Sequence, residues 1–296
     1  MTQAVSYWVA AHLTGLFEIK DKAENELYRG SRGAGVSISR GVTTTIKCIK
    51  SSKIEIFFNG VRKSPSETLV TNKVVELLLP QTNRSNLRIS HNFEVPLSSG
   101  YGASAAGAIG TAFALNTLLE LGLPNLELFQ VAHKAEVLTK SGLGDVIGLY
   151  QGGLEVRLKE GAPGIGSTIP LKNSPGWKIA TVHFGSLSTS LVLSNPQQRK
   201  AVNDAGSELI SKLISRPYFD NFIELSAAFT KKVKLWSPQL KKSIENLPPT
   251  VIGSQIMLGE AFFVFYHDKR DLVDIKIPKS QLNKETICQN TILRRK

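Results

Sequence analysis

Three residues far apart in the chain offer oxygen to a cation or a proton: Ser104, Glu136 and Asp145. Ser104 closes a short segment that starts at Pro96 and carries Ser98, Ser99, Gly100, Tyr101, Gly102, Ala103, Ser104 and Ala105 in succession after Leu97. An alternating apolar pattern over 87–95 precedes it, and a run of small apolar residues over 105–121 follows. That context, strand then glycines then helix, suits a phosphate site. The first turn of a helix has N–H groups without partners, and its dipole adds positive potential. Glycines let the backbone curl closely around phosphate oxygens. A serine at the helix mouth offers a hydroxyl to Mg²⁺, which prefers oxygen ligands. The same residues also fit an ordinary capped helix start. The segment is not a Walker A loop, since no Gly-Lys-Ser/Thr follows, and the third glycine is misplaced for a dinucleotide fingerprint.

Glu136 stands near the end of a helical pattern over 126–140, and Asp145 follows the break at 141–144. Phosphoryl transfer asks mainly for positioning, charge neutralisation and a group that takes the acceptor's proton. Two carboxylates beside a phosphate loop can divide that work, one on Mg²⁺ and one as base. Taken singly, Glu136 also fits a solvated helix residue and Asp145 a helix N-cap. His133 precedes Glu136 by three residues and so shares its helix face.

These residues need elements to hold them. Strand patterns are read over 6–11, 36–39, 43–49, 54–58, 87–95, 154–158 and 178–184, with a hairpin turn at Asn59-Gly60. The glycines of 30–35 read as a turn. Helical patterns cover 67–79, 105–121, 126–140, 145–150, 197–216, 220–235 and 238–246. The helix over 105–121 is small and apolar throughout, hence buried on most sides. Residues 251–266 form an apolar run punctuated by Gly253 and Gly259, and the Pro/Gly-rich stretch 161–176 is the linker candidate. Strands and helices mix without regular βαβ alternation, so the class is α+β.

The 296 residues, 42% hydrophobic and 20% charged, fit a folded globular protein of one large or two modest domains. Net charge is +12, with basic clusters at Lys231-Lys232-Val233-Lys234, Lys241-Lys242 and Arg294-Arg295-Lys296. Such a balance attracts polyanions, but it also fits a solvated basic face. Aromatic residues, 7% of the chain, do not interleave with those clusters as a base-stacking platform would. Cys48 and Cys288 are far apart, which argues against a zinc site or a disulfide framework and fits a reducing cytoplasm. The apolar start, 4–17, follows no Lys or Arg and is interrupted by His12 and Thr14. It reads as a buried strand and not a signal peptide. No stretch approaches the roughly 20 apolar residues of a membrane span.

Pro96-x-x-x-Gly100-x-Gly102-x-Ser104-Ala105-Ala106 resembles the second signature of the GHMP kinases. The resemblance implies that residues 96–105 wrap the phosphates of ATP and that Ser104 ligates Mg²⁺. One departure is Ala103, where many members carry a second serine. The offset from Asp145 to Gly152-Gly153 is similar to a branch in which that Asp is the base. Glu136 corresponds to the metal ligand there, with two fewer intervening residues. The stretch Ala10 to Glu18 resembles the first signature, although His12 stands where many relatives place a lysine. His12-x-Thr-Gly-x-Phe-Glu, Ser31-Arg-Gly-Ala-Gly35, Ala132-His-x-Ala-Glu136, Gly142-Leu-Gly-Asp145-Val and Ser254-Gln-x-Met-Leu-Gly259 together are similar to one archaeal branch acting on a small hydroxy acid.

The family implies a two-domain fold. The N-terminal ATP-binding half, 1–165, is of the ribosomal protein S5 domain 2 type, and the C-terminal half, 166–296, is ferredoxin-like. ATP is then the donor and Mg²⁺ the metal, with Ser104, Glu136 and Asp145 as catalytic residues. The acceptor contacts are Ser31, Arg32, His133, Arg157 and His12, and the guanidinium fork of Arg157 suits a carboxylate. The expected partner is a small molecule, with no nucleic acid and no membrane, in the cytoplasm; a homodimer follows by analogy. The alternatives are a GHMP kinase for shikimate, homoserine or mevalonate, and an RNA-binding protein sharing the N-terminal fold.

Overall fold

The computed structural model describes residues 4–51, 53–80, 86–172, 177–186, 194–267, 272, 282–288 and 292–296. Among the described residues the strands form two sheets. The first contains β1 (Ala4–Lys20), β2 (Gly30–Cys48), β3 (Glu55–Phe58), β4 (Val61–Arg62), β5 (Leu87–Phe93), β6 (Leu154–Lys159), β7 (Ser167–Pro170) and β12 (Leu293–Arg295). Its main path runs β12-β1-β2-β5-β3-β4, and β6 pairs with both β2 and β7. The second sheet is β11 (Leu282–Glu285), β8 (Lys178–Gly185), β10 (Glu260–Tyr266) and β9 (Ile252–Gln255), antiparallel throughout.

The helices are α1 (Leu69–Leu78), α2 (Ala103–Leu118), α3 (Asn125–Thr139), α4 (Asp145–Gln151), α5 (Pro196–Ser215), α6 (Phe219–Val233) and α7 (Pro238–Glu245). The fold is therefore α+β, as the mixed patterning implies. Helix α2 is buried at every position from Ala103 to Leu115 except Ser104. Small residues permit this: a Cβ on Gly110 would stand 2.5 Å from the Thr44 hydroxyl on β2. Starts of α5 and α7 are set by side-chain caps, Asn195 on the Gln197 and Gln198 amides and Ser237 on Leu240, each followed by proline.

Three sequence expectations need correction. Residues 30–35 are not a turn but the start of β2, a single strand of 19 residues paired with β1 and β6. Glycine composition imitates a turn, whereas these glycines make room for side chains from other elements, as shown below. The 161–176 linker contains β7, which pairs with β6 and extends the first sheet; residues 173–176 lie outside the described residues. The apolar run 251–266 is two paired strands, β9 and β10, and residues 256–259 connect them.

A contiguous core joins both sheets. It includes Trp8 and Leu13 of β1, Ile109 of α2, Leu209 of α5, Phe222 of α6 and Phe263 of β10. Helices α5 and α6 lie against β1, where the Asn203 side chain of α5 accepts from the Ile19 amide at 2.8 Å, and α7 packs on the second sheet.

Candidate active site

A cavity of about 370 Å³ opens beside the N-terminus of α2. Ser98 to Ser104 form one wall, and 139–145 between α3 and α4 form another. Thr14, Phe17, Ser31, Arg157, Met257 and Leu258 border it too. A further stretch is walled by Phe58, Ser66 to Thr71, His91 and Phe93. A volume of this order suits a small-molecule site.

The loop is held from behind. Gly102 caps α2 in the left-handed region, φ +60°, and the amides of 103–105 have no intrahelical partner, the first intrahelical bond running from Ala106 to the Gly102 carbonyl. A Cβ on Gly102 would press within 3.2 Å of His12. The His12 amide donates to the Tyr101 carbonyl at 3.0 Å, tying β1 to the loop. Ser99 donates to the carbonyls of Leu97 and Gly185, so its side chain anchors the loop to the second sheet instead of facing a ligand. Gly259 lies so close to Ser99 that any side chain there would collide with the loop backbone. The 254–259 segment thus supports the loop from below while Met257 and Leu258 reach the cavity. Tyr101 is buried and Ser98 exposed, both bordering the cavity. Pro96 and Ala105 frame the loop without bordering it.

Glu136 is buried on α3. Its Oε1 accepts from the Ser141 hydroxyl at 2.7 Å, while Oε2 has no hydrogen-bond partner. Burial pushes its carboxyl up to about 7; nearby Asp145 adds to the rise, and the Ser141 and Ser104 hydroxyls oppose it. An orphaned buried carboxylate oxygen close to Ser104 is a fitting ligand for a hard cation. No group of three or more His, Cys, Asp or Glu suited to a metal occurs among the described residues. Ser104 and Glu136 offer one hydroxyl and one carboxylate, a pair that could serve Mg²⁺ when phosphate oxygens and water complete its shell.

Asp145 opens α4 and borders the cavity. Its Oδ1 meets His12 Nδ1 at 2.9 Å and accepts from Thr14 Oγ1 at 3.4 Å, and its Oδ2 takes part in neither contact. Ser104 and Asp145 thus reach one cavity, and Glu136 sits immediately behind its wall.

The expected acceptor contacts divide. Ser31 and Arg157 border the cavity. Arg157 is fully buried, with Nη1 on Glu155 Oε1 at 2.9 Å, Nη2 on Thr14 Oγ1 at 3.4 Å, and Nε without a partner. The end of its fork is therefore occupied, and the edge formed by Nε and Nη2 is the one left for a ligand. Arg32 is one residue from Ser31 and so points to the other sheet face. It pairs with Glu18 at 3.2 Å and the Leu158 carbonyl at 3.0 Å, and it does not border the cavity.

His133 donates from Nε2 to the Arg29 carbonyl at 2.9 Å, and burial lowers its pKa. It looks toward the 26–28 turn and away from the cavity. His12 is fully buried between two carboxylates, with no ring nitrogen left for a ligand. Desolvation works against its charge, yet the hydrogen bonds to Asp145 and Glu155 outweigh it and raise its pKa. Arg32, His133 and His12 are thus not brought to the cavity.

Sequence reasoning passed over Glu155, Thr14 and Ser141. Glu155 could have been found from period two on β6, which puts it on the same face as Arg157. Thr14 stands in the same relation to His12. Ser141 carried no signal beyond the loop break.

The family described as GHMP kinases N terminal domain matches residues 69–153, which span the loop, Glu136 and Asp145. A pantoate kinase of Thermococcus kodakarensis is 35% identical over 92% of this chain and 92% of its own length. One from Methanocaldococcus jannaschii is 32% identical over 85% and 89%. Among solved structures, a "Phosphotransferase related to CoA biosynthesis pathway" superposes with a TM-score of 0.86 at 30% identity, covering 99% of each chain.

Proposed function

Because this chain belongs to the pantoate kinases of the GHMP superfamily, we propose that it moves the γ-phosphoryl group of ATP to the primary hydroxyl of (R)-pantoate. The product is (R)-4-phosphopantoate, on the way to coenzyme A. The fold is the two-domain GHMP fold, and the enzyme is a kinase that uses ATP as its donor. One observation carries the assignment of residues: the 98–104 loop and Asp145 border a single cavity, with the orphaned Glu136 oxygen behind Ser104.

In this reading the amides at the start of α2 hold the phosphates, and the stretch walled by Phe58, Val70 and Phe93 receives the base of ATP. Ser104 and Glu136 would hold Mg²⁺, which when bound neutralises charge on the phosphates. Arg157 offers its Nε–Nη2 edge to the pantoate carboxylate, and Ser31 lies beside it. A Cβ on Gly144 would touch both side chains. Asp145 accepts the hydroxyl proton through Oδ2, the alkoxide oxygen bonds to the γ-phosphorus, and the bridging oxygen leaves with ADP.

No helix among the described residues is long and apolar enough to cross a membrane. A cytoplasmic location and a homodimer are part of the proposal, the first in keeping with the sparse cysteines. Steady-state turnover of pantoate, mevalonate, homoserine and shikimate, followed by ADP release with Mg²⁺ present, tests the reading. Pantoate should lead the others in kcat/KM by at least about 100-fold. A lead for any other acceptor would replace it.

A further inference from the structure

We propose that Glu155 is a positioning residue of this transfer, joining the acceptor's anion anchor to the base through one carboxylate. The inference rests on the pantoate kinase reading for the roles of Asp145 and Arg157. Its geometry stands independently. Glu155 Oε1 accepts from His12 Nε2 at 3.0 Å and from Arg157 Nη1 at 2.9 Å, and His12 Nδ1 meets Asp145 Oδ1 at 2.9 Å. Four side chains therefore form one chain, Asp145–His12–Glu155–Arg157. The three last are fully buried.

A carboxylate only accepts hydrogen bonds, so between two ionised carboxylates the ring donates from both nitrogens as an imidazolium, the state that its hydrogen bonds to Asp145 and Glu155 favour against burial. The chain then holds two anions and two cations. That neutral sum is the condition under which buried charges are tolerated. The backbone reserves the space. A Cβ on Gly35 would stand 2.5 Å from His12 Cε1, and one on Gly148 would stand 2.6 Å from Nε2. A Cβ on Gly33 would be 2.5 Å from Arg157 Nη2, and one on Gly144 would be 3.0 Å from Nε. Four glycines on two sides make slots for the imidazole and the guanidinium, and Glu155 is the group they share.

Removing the Glu155 charge leaves His12 free to lose a proton or turn from Asp145, and it frees Arg157 from its fixed edge. Turnover and acceptor affinity should change together. Nucleotide affinity should not, because the loop meets β1 through the His12 backbone.

The test uses the whole enzyme. Glu155→Gln keeps the shape and removes the charge. Its kcat should fall on the order of 10- to 100-fold, with acceptor KM up about 10-fold and ATP KM within about twofold. A merely structural role would lower the folded fraction and leave both KM values alone. A folded Glu155→Gln enzyme with wild-type kcat and acceptor KM overturns the proposal. Should that variant not fold, Glu155→Asp keeps the charge but shortens the reach. It should show the same two changes more weakly, and wild-type values there overturn the proposal equally. Nitrogen-15 NMR of His12 in the wild-type enzyme near pH 7 should show both ring nitrogens protonated. A single protonated nitrogen sinks the chain. If the wild-type enzyme leaves pantoate untouched, the functional reading falls, while the NMR result still decides the chain.

Discussion

Asp145 is the residue on which turnover should depend most. Its Oδ1 is committed to His12, and Oδ2 is the oxygen left for a substrate proton. Asp145→Asn keeps the size and loses the basicity, so kcat should drop about 10²- to 10⁴-fold with ATP binding nearly unchanged, while the thermal midpoint falls because buried His12 loses a counter-charge. Near-normal turnover would take the base assignment away. Arg157 carries a double consequence. Arg157→Ala should raise acceptor KM far more than ATP KM. It also strips the buried Glu155 of a partner, which should cost about 3–5 kcal/mol of stability by urea titration. A variant of unchanged stability would show that Glu155 is not charged in the folded protein.

The elements show why glycine and histidine mislead when read along the chain alone. Gly33 and Gly35 lie inside β2 because Arg157 and His12 occupy the space their side chains would take. His91 of β5 has a similar logic. It is fully buried between the Thr44 hydroxyl of β2 at 2.9 Å and the Thr71 hydroxyl of α1 at 3.1 Å, tying the helix to the sheet. Burial lowers its pKa from 6.5 to about 4, so the folded protein keeps it neutral. The unfolded chain binds that proton more readily. Stability from this site is therefore complete above pH 6.5 and drains away as pH falls toward 4. Full loss amounts to about 3 kcal/mol. Urea midpoints of wild type and His91→Gln between those pH values should converge as pH drops, and a constant gap would contradict the linkage.

At the scale of the molecule, division at 165/166 is proposed as a boundary in sequence more than in packing. β7 and β12 follow that point yet pair into the first sheet, and one core runs from β1 through α5 and α6 to β10. Variants keeping a single tryptophan should report one common unfolding midpoint. Trp8 would report on the core of the first sheet and Trp236 on the second sheet's cluster. Two separated midpoints would mean that the halves are independent units.

The sequence alone determined most helices, because backbone conformation, capping and periodicity are local, and its motifs marked the 96–105 loop, Glu136 and Asp145 as candidates. Pro96 to Ser104 fits an ordinary capped helix start as well, and what singled it out without coordinates was its resemblance to the second GHMP signature. Which charged groups meet was decided only by tertiary structure. Arg32 shares a motif with Ser31 and His133 a helix face with Glu136, yet alternation on β2 turns Arg32 away and the Arg29 carbonyl claims the His133 ring. Period two places Glu155 on one strand face with Arg157, but its seat between His12 and Arg157 appeared only once β1 and β6 brought those three into one dry space with Asp145 at its rim. Burial and pairing depend on residues over a hundred positions apart, and no local pattern along the chain encodes them.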